Sequence, residues 1–382
     1  MNLDKINIWD LGNKINIKVN NNFIDVINSK IKEKCGSKRN VHKELIKYYN
    51  VPFSTFKVRM KRGYKYFIDL EILLNLCRIL DVSLEELQNN IVSYKTRRGW
   101  NYIENPILPI KITPIFDMLI AHHIGDGNVV NPKKGRKPYF SYRQFDTNYR
   151  NLYINKIESI FGKLKYKSDY LNNQNTTKIY FPVVGSDLMF KLYNLDIGSF
   201  KSETARIPQE ILNKDWKHKL AFLIGLIIDE GHVDSTLILI RVKNKGLIED
   251  LNKICSELYY HTSIKKNKDG LFSLYILSKS INKFYQDYQN LLKDYPEVNL
   301  GYKGEKIKEF IDRINKPKVY IQGNKDKILL ELSKEKLTVN ELAKRLNMTR
   351  QGARYLIKEL VKENKVEVKS IVKFGNYKYS LR

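Results

Sequence analysis

Two nine-residue blocks of the sequence repeat one another. The first is LIAHHIGDG at residues 119–127, and the second is LIGLIIDEG at residues 223–231. Each block is an apolar run, typical of a packed helix, that ends in an acid followed by glycine. Internal repetition of this kind predicts a fold built from two similar halves, each with one such helix.

The segments around the two blocks also correspond. Thr113-Pro114 precedes the first block and Asp215 precedes the second, and both are typical starts of helices. The matching segments downstream are 142–144 with 239–241, 155–157 with 252–254, 179–181 with 274–276, and 200–203 with 302–305. Their patterns predict helix, two strands, helix, two strands and helix, twice over.

The two blocks resemble the LAGLIDADG motif of the homing endonucleases, and the repeat that contains them covers about residues 106–305. The resemblance implies an α+β fold of two pseudo-symmetric αββαββα repeats, with the motif helices packed together above a saddle-shaped sheet that straddles DNA. Ala121 and Gly225 occupy matching positions where the helix backbones approach, and Gly127 and Gly231 close the motifs.

The resemblance implies that Asp126 and Glu230 are the catalytic, metal-binding acids of a site-specific double-strand DNA endonuclease. Hydrolysis of a phosphodiester needs an activated water and neutralisation of charge on the attacking and leaving oxygens. Hard divalent cations held by carboxylates do both. The expected cofactor is Mg²⁺ or Mn²⁺, with one acid for each DNA strand.

Several positions depart from the family pattern. His122 and His123 stand where the first motif usually has apolar residues, and they are expected to be packed and hydrogen-bonded, with a metal-ligand role for one of them as the alternative. The lysine expected before the second motif is absent from residues 205–208. Lys201 and Lys303, equivalent in the repeat, are predicted to replace it by polarising water or phosphate, and an ordinary phosphate contact is the alternative.

Polar residues at the ends of the predicted strands are candidate DNA contacts. Gln144 and Arg241 correspond in the alignment of the repeats and are expected near the acids. Their neighbours Arg143 and Lys243 are expected to bind DNA with them.

Charge limits the class of partner. The chain has 68 Lys and Arg against 41 Asp and Glu, a net charge of +27. Such a surplus favours a polyanion, because neutralised phosphates release condensed counterions. Double-stranded DNA is therefore the expected partner, although a bias toward Lys codons explains part of the surplus. A monomer is expected, since one chain holds both repeats.

The first hundred residues, 1–100, are predicted to form a helical domain. Helix, turn and a second helix carrying Lys57 and Arg59 resemble the helix-turn-helix of phage-repressor-like proteins. DNA binding through these two side chains is expected, and a plain helical bundle with a solvated charged face is the alternative.

Residues 318–382 are predicted to form a winged helix-turn-helix domain of three helices and a basic hairpin. Its third helix carries Arg350, Gln351 and Arg354, which suit base edges and phosphates. Winged helices also mediate protein contacts, so that role stays open.

Cysteine usage and hydropathy exclude some classes. The three cysteines form no CxxC pair, which argues against zinc fingers and a secreted disulfide framework. There is no apolar stretch typical of a signal peptide or a membrane span, so a cytoplasmic protein is expected. Besides a nuclease, a transcription regulator that keeps the fold without cleavage, or an RNA-splicing maturase, fits these features.

Overall fold

Helices pack with antiparallel sheets, which makes this an α+β protein. The computed structural model describes residues 5–12, 14–62, 65–97, 99, 101–131, 137–166, 178–234, 237–315, 323–372 and 376–382. The chain divides into two compact units, Met1–Arg313 and Ile314–Arg382. No helix in the described part of the chain is long and apolar enough to cross a membrane.

The N-terminal part of the first unit combines helices with a sheet. Its helices are α1 (Asn21–Cys35), α2 (Lys38–Leu45), α3 (Phe53–Arg62), α4 (Leu70–Leu80) and α5 (Leu84–Asn89). Its strands are β1 (Lys5–Ile6), β2 (Ile15–Val19), β3 (Ile68–Asp69), β4 (Ile91–Thr96), β5 (Asn101–Glu104) and β6 (Ile110–Lys111). The structure therefore adds strands to the helical domain expected from the sequence. Buried and half-buried residues alternate along β2, the period of two that favours a strand.

Both predicted repeats are present, in the predicted order of elements. The first consists of α6 (Pro114–Ile124), β7 (Gly127–Val130), β8 (Tyr139–Arg143), α7 (Thr147–Phe161), β9 (Lys163–Tyr166), β10 (Lys178–Tyr180) and α8 (Val183–Leu192), followed by a short α9 (Gln209–Leu212). The second consists of α10 (Trp216–Glu230), β11 (Gly231–Val233), β12 (Ile238–Val242), α11 (Lys245–Glu257), β13 (Thr262–Lys266), β14 (Phe272–Ile276) and α12 (Ser278–Asp294), followed by α13 (Tyr302–Asn315). The αββαββα arrangement is confirmed.

The sheets of the two repeats differ at one edge. In the second repeat the strand order is β11-β12-β14-β13, whereas the sheet of the first repeat has the order β10-β8-β7. The remaining strand of the first repeat, β9, belongs to the N-terminal sheet, whose order is β3-β2-β4-β5-β9. The N-terminal sheet and the first repeat are thus joined by main-chain hydrogen bonds.

The motif helices α6 and α10 form the centre of the first unit. A Cβ atom added to Gly225 of α10 would lie 2.8 Å from the Ala121 Cβ atom of α6, so the backbones approach closely. Asp117, fully buried near the start of α6, accepts hydrogen bonds from Lys214 (2.9 Å) and His218 (2.6 Å). This buried cluster ties the starts of the two helices together.

The second unit has a separate hydrophobic core. Its elements are α14 (Asn324–Lys334), β15 (Leu337–Thr338), α15 (Val339–Arg345), α16 (Arg350–Lys362), β16 (Val366–Val372) and β17 (Asn376–Leu381). The strands form a sheet of order β15-β17-β16. Thr338 and Glu341 make reciprocal hydrogen bonds that cap α15, and Thr349 caps α16. Three helices with a hairpin make this unit a winged helix.

Candidate active site at the ends of the paired helices

Asp126 and Glu230 lie where the two motif helices end. Asp126 follows the last turn of α6, and Glu230 is the last residue of α10. The pKa of Asp126 is raised to about 7, first by burial and then by the carboxylates of Asp229 and Glu230. Burial and Asp229 also raise the pKa of Glu230. The structure therefore gathers these acids into one partly buried, electrostatically coupled group.

Lys303 holds the end of α10. Its ammonium group donates hydrogen bonds to the backbone carbonyls of Ile227 (2.9 Å), Ile228 (2.6 Å) and Gly231 (2.7 Å). Cations at helix C-termini stabilise the unpaired carbonyls and the helix dipole. Burial lowers the pKa of Lys303, and the three nearby carboxylates oppose that shift. All three N–H groups are occupied by carbonyls, so Lys303 positions the helix end that carries Glu230.

Lys201, expected to be equivalent to Lys303, occupies a different environment. It is exposed and follows a short 3-10 helix, Gly198–Phe200. The pKa of Glu203 is lowered mainly by its hydrogen bond with Lys243, and the charge of Lys201 adds to that effect. Lys201 is not among the charges that shift the pKa of Asp126. The equivalence predicted from the alignment does not extend to the surroundings of the two lysines, because Lys303 lies inside a helix and Lys201 in a turn.

Asp229, which the sequence reasoning did not single out, is the buried member of the acid group. Its side chain is fully buried, and it accepts hydrogen bonds from His122 Nδ1 (2.9 Å) and the Tyr142 hydroxyl (2.7 Å). It faces Gly125, where an added Cβ atom would lie 2.7 Å from the Asp229 Cβ atom. The sequence signal was available, since the seventh position of the motif is glycine in one block and aspartate in the other.

The two histidines of the first motif are buried in the interface between the helices and the sheet. His122 contacts Asp229, not Asp126, and His123 Nε2 lies 2.8 Å from the Tyr153 hydroxyl. The ring of His123 stacks on Phe140 with centroids 3.9 Å apart. Burial lowers the pKa of both histidines, which favours neutral rings. Each ring is packed and makes one of these hydrogen bonds, while His122 Nε2 and His123 Nδ1 are buried without a hydrogen-bond partner among the described residues.

Gln144 contacts the acid group, whereas Arg241 does not. Gln144 Nε2 donates to Asp126 Oδ2 at 3.3 Å. Arg241 pairs with Asp269. Strand pairing explains the difference: Gly127 lies opposite Tyr142, and the equivalent Gly231 lies opposite Ile240.

The counterpart of Arg241 is therefore Arg143, so the alignment that matched Arg241 with Gln144 was wrong by one residue. A shift of one residue along a strand moves a side chain to the opposite face of the sheet. Arg143 is exposed at the end of β8. Lys243, exposed just after β12, pairs with Glu203 at 2.8 Å.

The carboxylates of the acid group fit a divalent cation whose coordination shell is completed by substrate. Among the described residues no group of three or more His, Cys, Asp or Glu side chains is arranged to hold a metal. Asp126 and Glu230 supply carboxylate oxygens, and Asp229 is occupied by His122 and Tyr142. Mg²⁺ is commonly held by one or two carboxylates together with substrate phosphate and water. The carboxylates of Asp126 and Glu230 match that pattern.

The candidate DNA-binding side chains of α3 and α16 are accessible to solvent. Lys57 is exposed and Arg59 half-buried on α3, while Arg350, Gln351 and Arg354 are exposed in the first turns of α16. A helix-turn-helix role for α2 and α3 stays a prediction.

A family model described as winged helix-turn-helix DNA-binding matches residues 324–367. A search of curated proteins finds no match to this chain.

Solved structures similar to this chain include mesophilic variants of the homing endonuclease I-DmoI, at 19% identity and TM-score 0.34, covering 46% of this chain and 88% of that one. I-DmoI in complex with DNA and Mn is similar at 17% identity and TM-score 0.33, covering 45% and 94%. The homing endonuclease I-WcaI bound to its DNA recognition sequence is similar at 17% identity and TM-score 0.34, covering 50% and 87%.

Proposed function

We propose that this chain is a site-specific DNA endonuclease that cuts both strands with the help of a divalent cation. The observation that carries the proposal is the meeting of Asp126 and Glu230, one acid from each repeat, at the ends of two closely packed helices. Two acids related by an internal repeat suit the two strands of a duplex.

Asp126 and Glu230 would hold Mg²⁺ or Mn²⁺. The bound cation would supply neutralisation of phosphate charge and a more acidic water. The chain's own residues orient the acids: the Gln144 amide donates to Asp126, and Lys303 fixes the helix end that carries Glu230. After burial, the charge of Asp229 is the next cause that raises the pKa of both acids, and this nearby negative charge favours binding of a cation there.

The surroundings suit a DNA substrate. The net charge of +27 favours phosphate contacts. Arg143, Arg241 and Lys243 lie at the ends of the central strands. The winged helix-turn-helix match at residues 324–367 supports a further DNA contact, since its exposed Arg350 and Arg354 suit phosphates and base edges.

The test compares Asp126→Asn and Glu230→Gln with Glu257→Gln, which removes an exposed acid of α11. The substrate is a plasmid carrying the DNA that flanks the gene, incubated with Mg²⁺, and binding is titrated separately in Ca²⁺. Each amide keeps the shape of its carboxylate and loses the charge that holds a hard cation. We expect both variants to lose double-strand cleavage with near-normal binding, while the control cuts normally.

Two outcomes would contradict the proposal. Unchanged cutting by both variants would show that these acids are not the metal site. Specific binding by the wild type without cutting in Mg²⁺ or Mn²⁺ would favour a transcription regulator.

A further inference from the structure

We infer that the N-terminal part and the first repeat form one rigid DNA-binding body, which lengthens the recognised duplex on the side of the first repeat only. The inference rests on the proposed function. It concerns the extent and symmetry of the DNA site and not the chemistry of cleavage.

Strand pairing places the N-terminal sheet at the outer end of the first repeat. β9 pairs antiparallel with β5 over four residue pairs, from Asn101 opposite Tyr166 to Glu104 opposite Lys163. In the second repeat the corresponding strand, β13, is the outermost strand, three places from the β11 strand that follows Glu230. Because β9 corresponds to β13, the N-terminal sheet lies beyond the first repeat on the side away from the acids.

Further contacts make this junction rigid. The Asn101 side chain, buried, donates to the Tyr180 carbonyl of β10 at 2.9 Å. The Ile107 amide donates to the Phe161 carbonyl at the end of α7 at 3.2 Å. A Cβ atom at Gly162 would lie 2.5 Å from the Asn105 carbonyl oxygen, which shows how closely the two backbones meet. Main-chain pairing and buried hydrogen bonds thus join the two parts directly.

A basic surface lies on the outer helices of this body. Lys38 at the start of α2 and Lys57 and Lys61 on α3 are close enough that the two α3 lysines lower the pKa of Lys38, after the larger effect of burial. No acid occurs in α3 or in the first turn of α2. These three lysines repel one another, and no carboxylate is among the groups that shift the pKa of Lys38, so the surface favours an anionic partner. On a body that already holds DNA, that partner is the phosphate backbone of the same duplex.

The second repeat has no matching extension among the described residues. There β13 stands at the edge of its sheet and pairs only with β14. The chain instead continues through α13 toward the second unit. The extension contributed by the N-terminal sheet is therefore expected on one side of the cleavage centre only.

The experiment is hydroxyl-radical footprinting of the full-length protein in Ca²⁺. The probe is a duplex of about six helical turns that contains the cleavage site in the middle. Lys57→Glu/Lys61→Glu is compared with Lys279→Glu/Lys293→Glu, which makes the same charge change on α12 in the second repeat. We expect the first variant to lose protection at one end of the footprint only. The control should bind more weakly with a footprint of unchanged length.

An iron chelate attached through Lys279→Cys, in a chain whose partly exposed Cys35 is replaced by serine, identifies the end that belongs to the second repeat. The lost protection should lie at the opposite end. Loss at the marked end, equal loss at both ends, or no loss would overturn the inference. Lys57→Ala/Lys61→Ala, which avoids new acids, repeats the measurement if the charge-reversed protein unfolds.

A second duplex tests rigidity. Five base pairs inserted between the cleavage centre and the affected end turn the flank by about half a helical turn. A rigid body can no longer reach that flank, so the affinity of the wild type should fall to that of the Lys57→Glu/Lys61→Glu variant. The insertion should leave the affinity of the variant unchanged. Protection that moves with the inserted DNA would overturn the rigid arrangement. A one-sided footprint without any cleavage in Mg²⁺ would overturn the nuclease proposal alone.

Discussion

Asp126 bears an unfavourable charge in the folded protein without bound cation. Its pKa is about 7 in the native state, against 3.8 for an unperturbed aspartate, because burial and the neighbouring carboxylates disfavour ionisation. Between these two pH values the native state holds a proton that the unfolded state has lost. Stability therefore falls as pH rises through this window, and the full loss is present above pH 7.

Asp126→Asn should thus stabilise the protein above pH 7, since the amide removes the ionisation. Because Asp126 is partly accessible to water, we expect a gain on the order of 1–2 kcal/mol. Thermal melts at pH 8 and pH 4 provide the measurement, and the difference between variant and wild type should vanish at pH 4. Adding Ca²⁺ at pH 8 should raise the melting temperature of the wild type and not that of the variant. An equal or lower melting temperature for the variant at pH 8 would contradict this account.

Sequence alone predicted the positions of Asp126 and Glu230, because the eighth place of each motif follows from the repeat. It did not predict what Lys303 and Asp229 contact. Lys303 caps a helix that is distant in the chain, and Asp229 occupies space left by Gly125 on the facing helix. Such relations depend on the distance between packed backbones, which residue spacing within one segment does not report.

At the scale of elements, the contact between α6 and α10 decides where the acids lie. Both helices are largely buried and mostly apolar. The small residues Ala121 and Gly225 set their separation at the point where they cross. A change at the crossing would alter stability and the placement of both acids together, because Asp126 follows the end of α6 and Glu230 is the last residue of α10.

Gly225→Ala tests this contact. The added methyl group would lie 2.8 Å from the Ala121 Cβ atom and 3.0 Å from the Met118 carbonyl oxygen. Overpacking of this kind costs about 1–3 kcal/mol. Ala121→Gly in the same chain removes the first clash and keeps the second, so the double variant should recover part of the lost stability in denaturant unfolding. No recovery, or a single variant as stable as the wild type, would contradict the close approach.

Helices with a clear hydrophobic period and a typical first residue were predicted from the sequence. The pairing of the strands was not. Thr113-Pro114 and Asp215 begin the motif helices as expected. The strands β2 and β4 were missed beside longer helical patterns, and β9 pairs with a strand from outside its own repeat. Strand pairing joins residues far apart in the chain, so a local pattern cannot choose between neighbouring registers or rival partners.

At the scale of the whole molecule, positive charge is shared between two separate units. The first unit holds the acid group, and the second has its own core and exposes basic residues on α16. Binding energy that is spread over both units should be strongly salt-dependent, because each phosphate contact releases counterions. Loss of one unit should then reduce affinity and its salt dependence together.

Removal of residues 318–382 should weaken DNA binding without abolishing it. We expect an affinity loss of roughly ten- to hundredfold at about 100 mM salt, and a shallower slope of log affinity against log salt by about 1 for each phosphate that the shortened chain no longer neutralises. In the full chain, Arg354→Ala should reproduce part of this loss, whereas Lys362→Ala, the same charge change at the far end of α16, should not. Filter binding or fluorescence anisotropy at a series of salt concentrations gives both quantities. If the truncated protein binds its site equally well at every salt concentration, the winged helix contributes nothing to DNA binding.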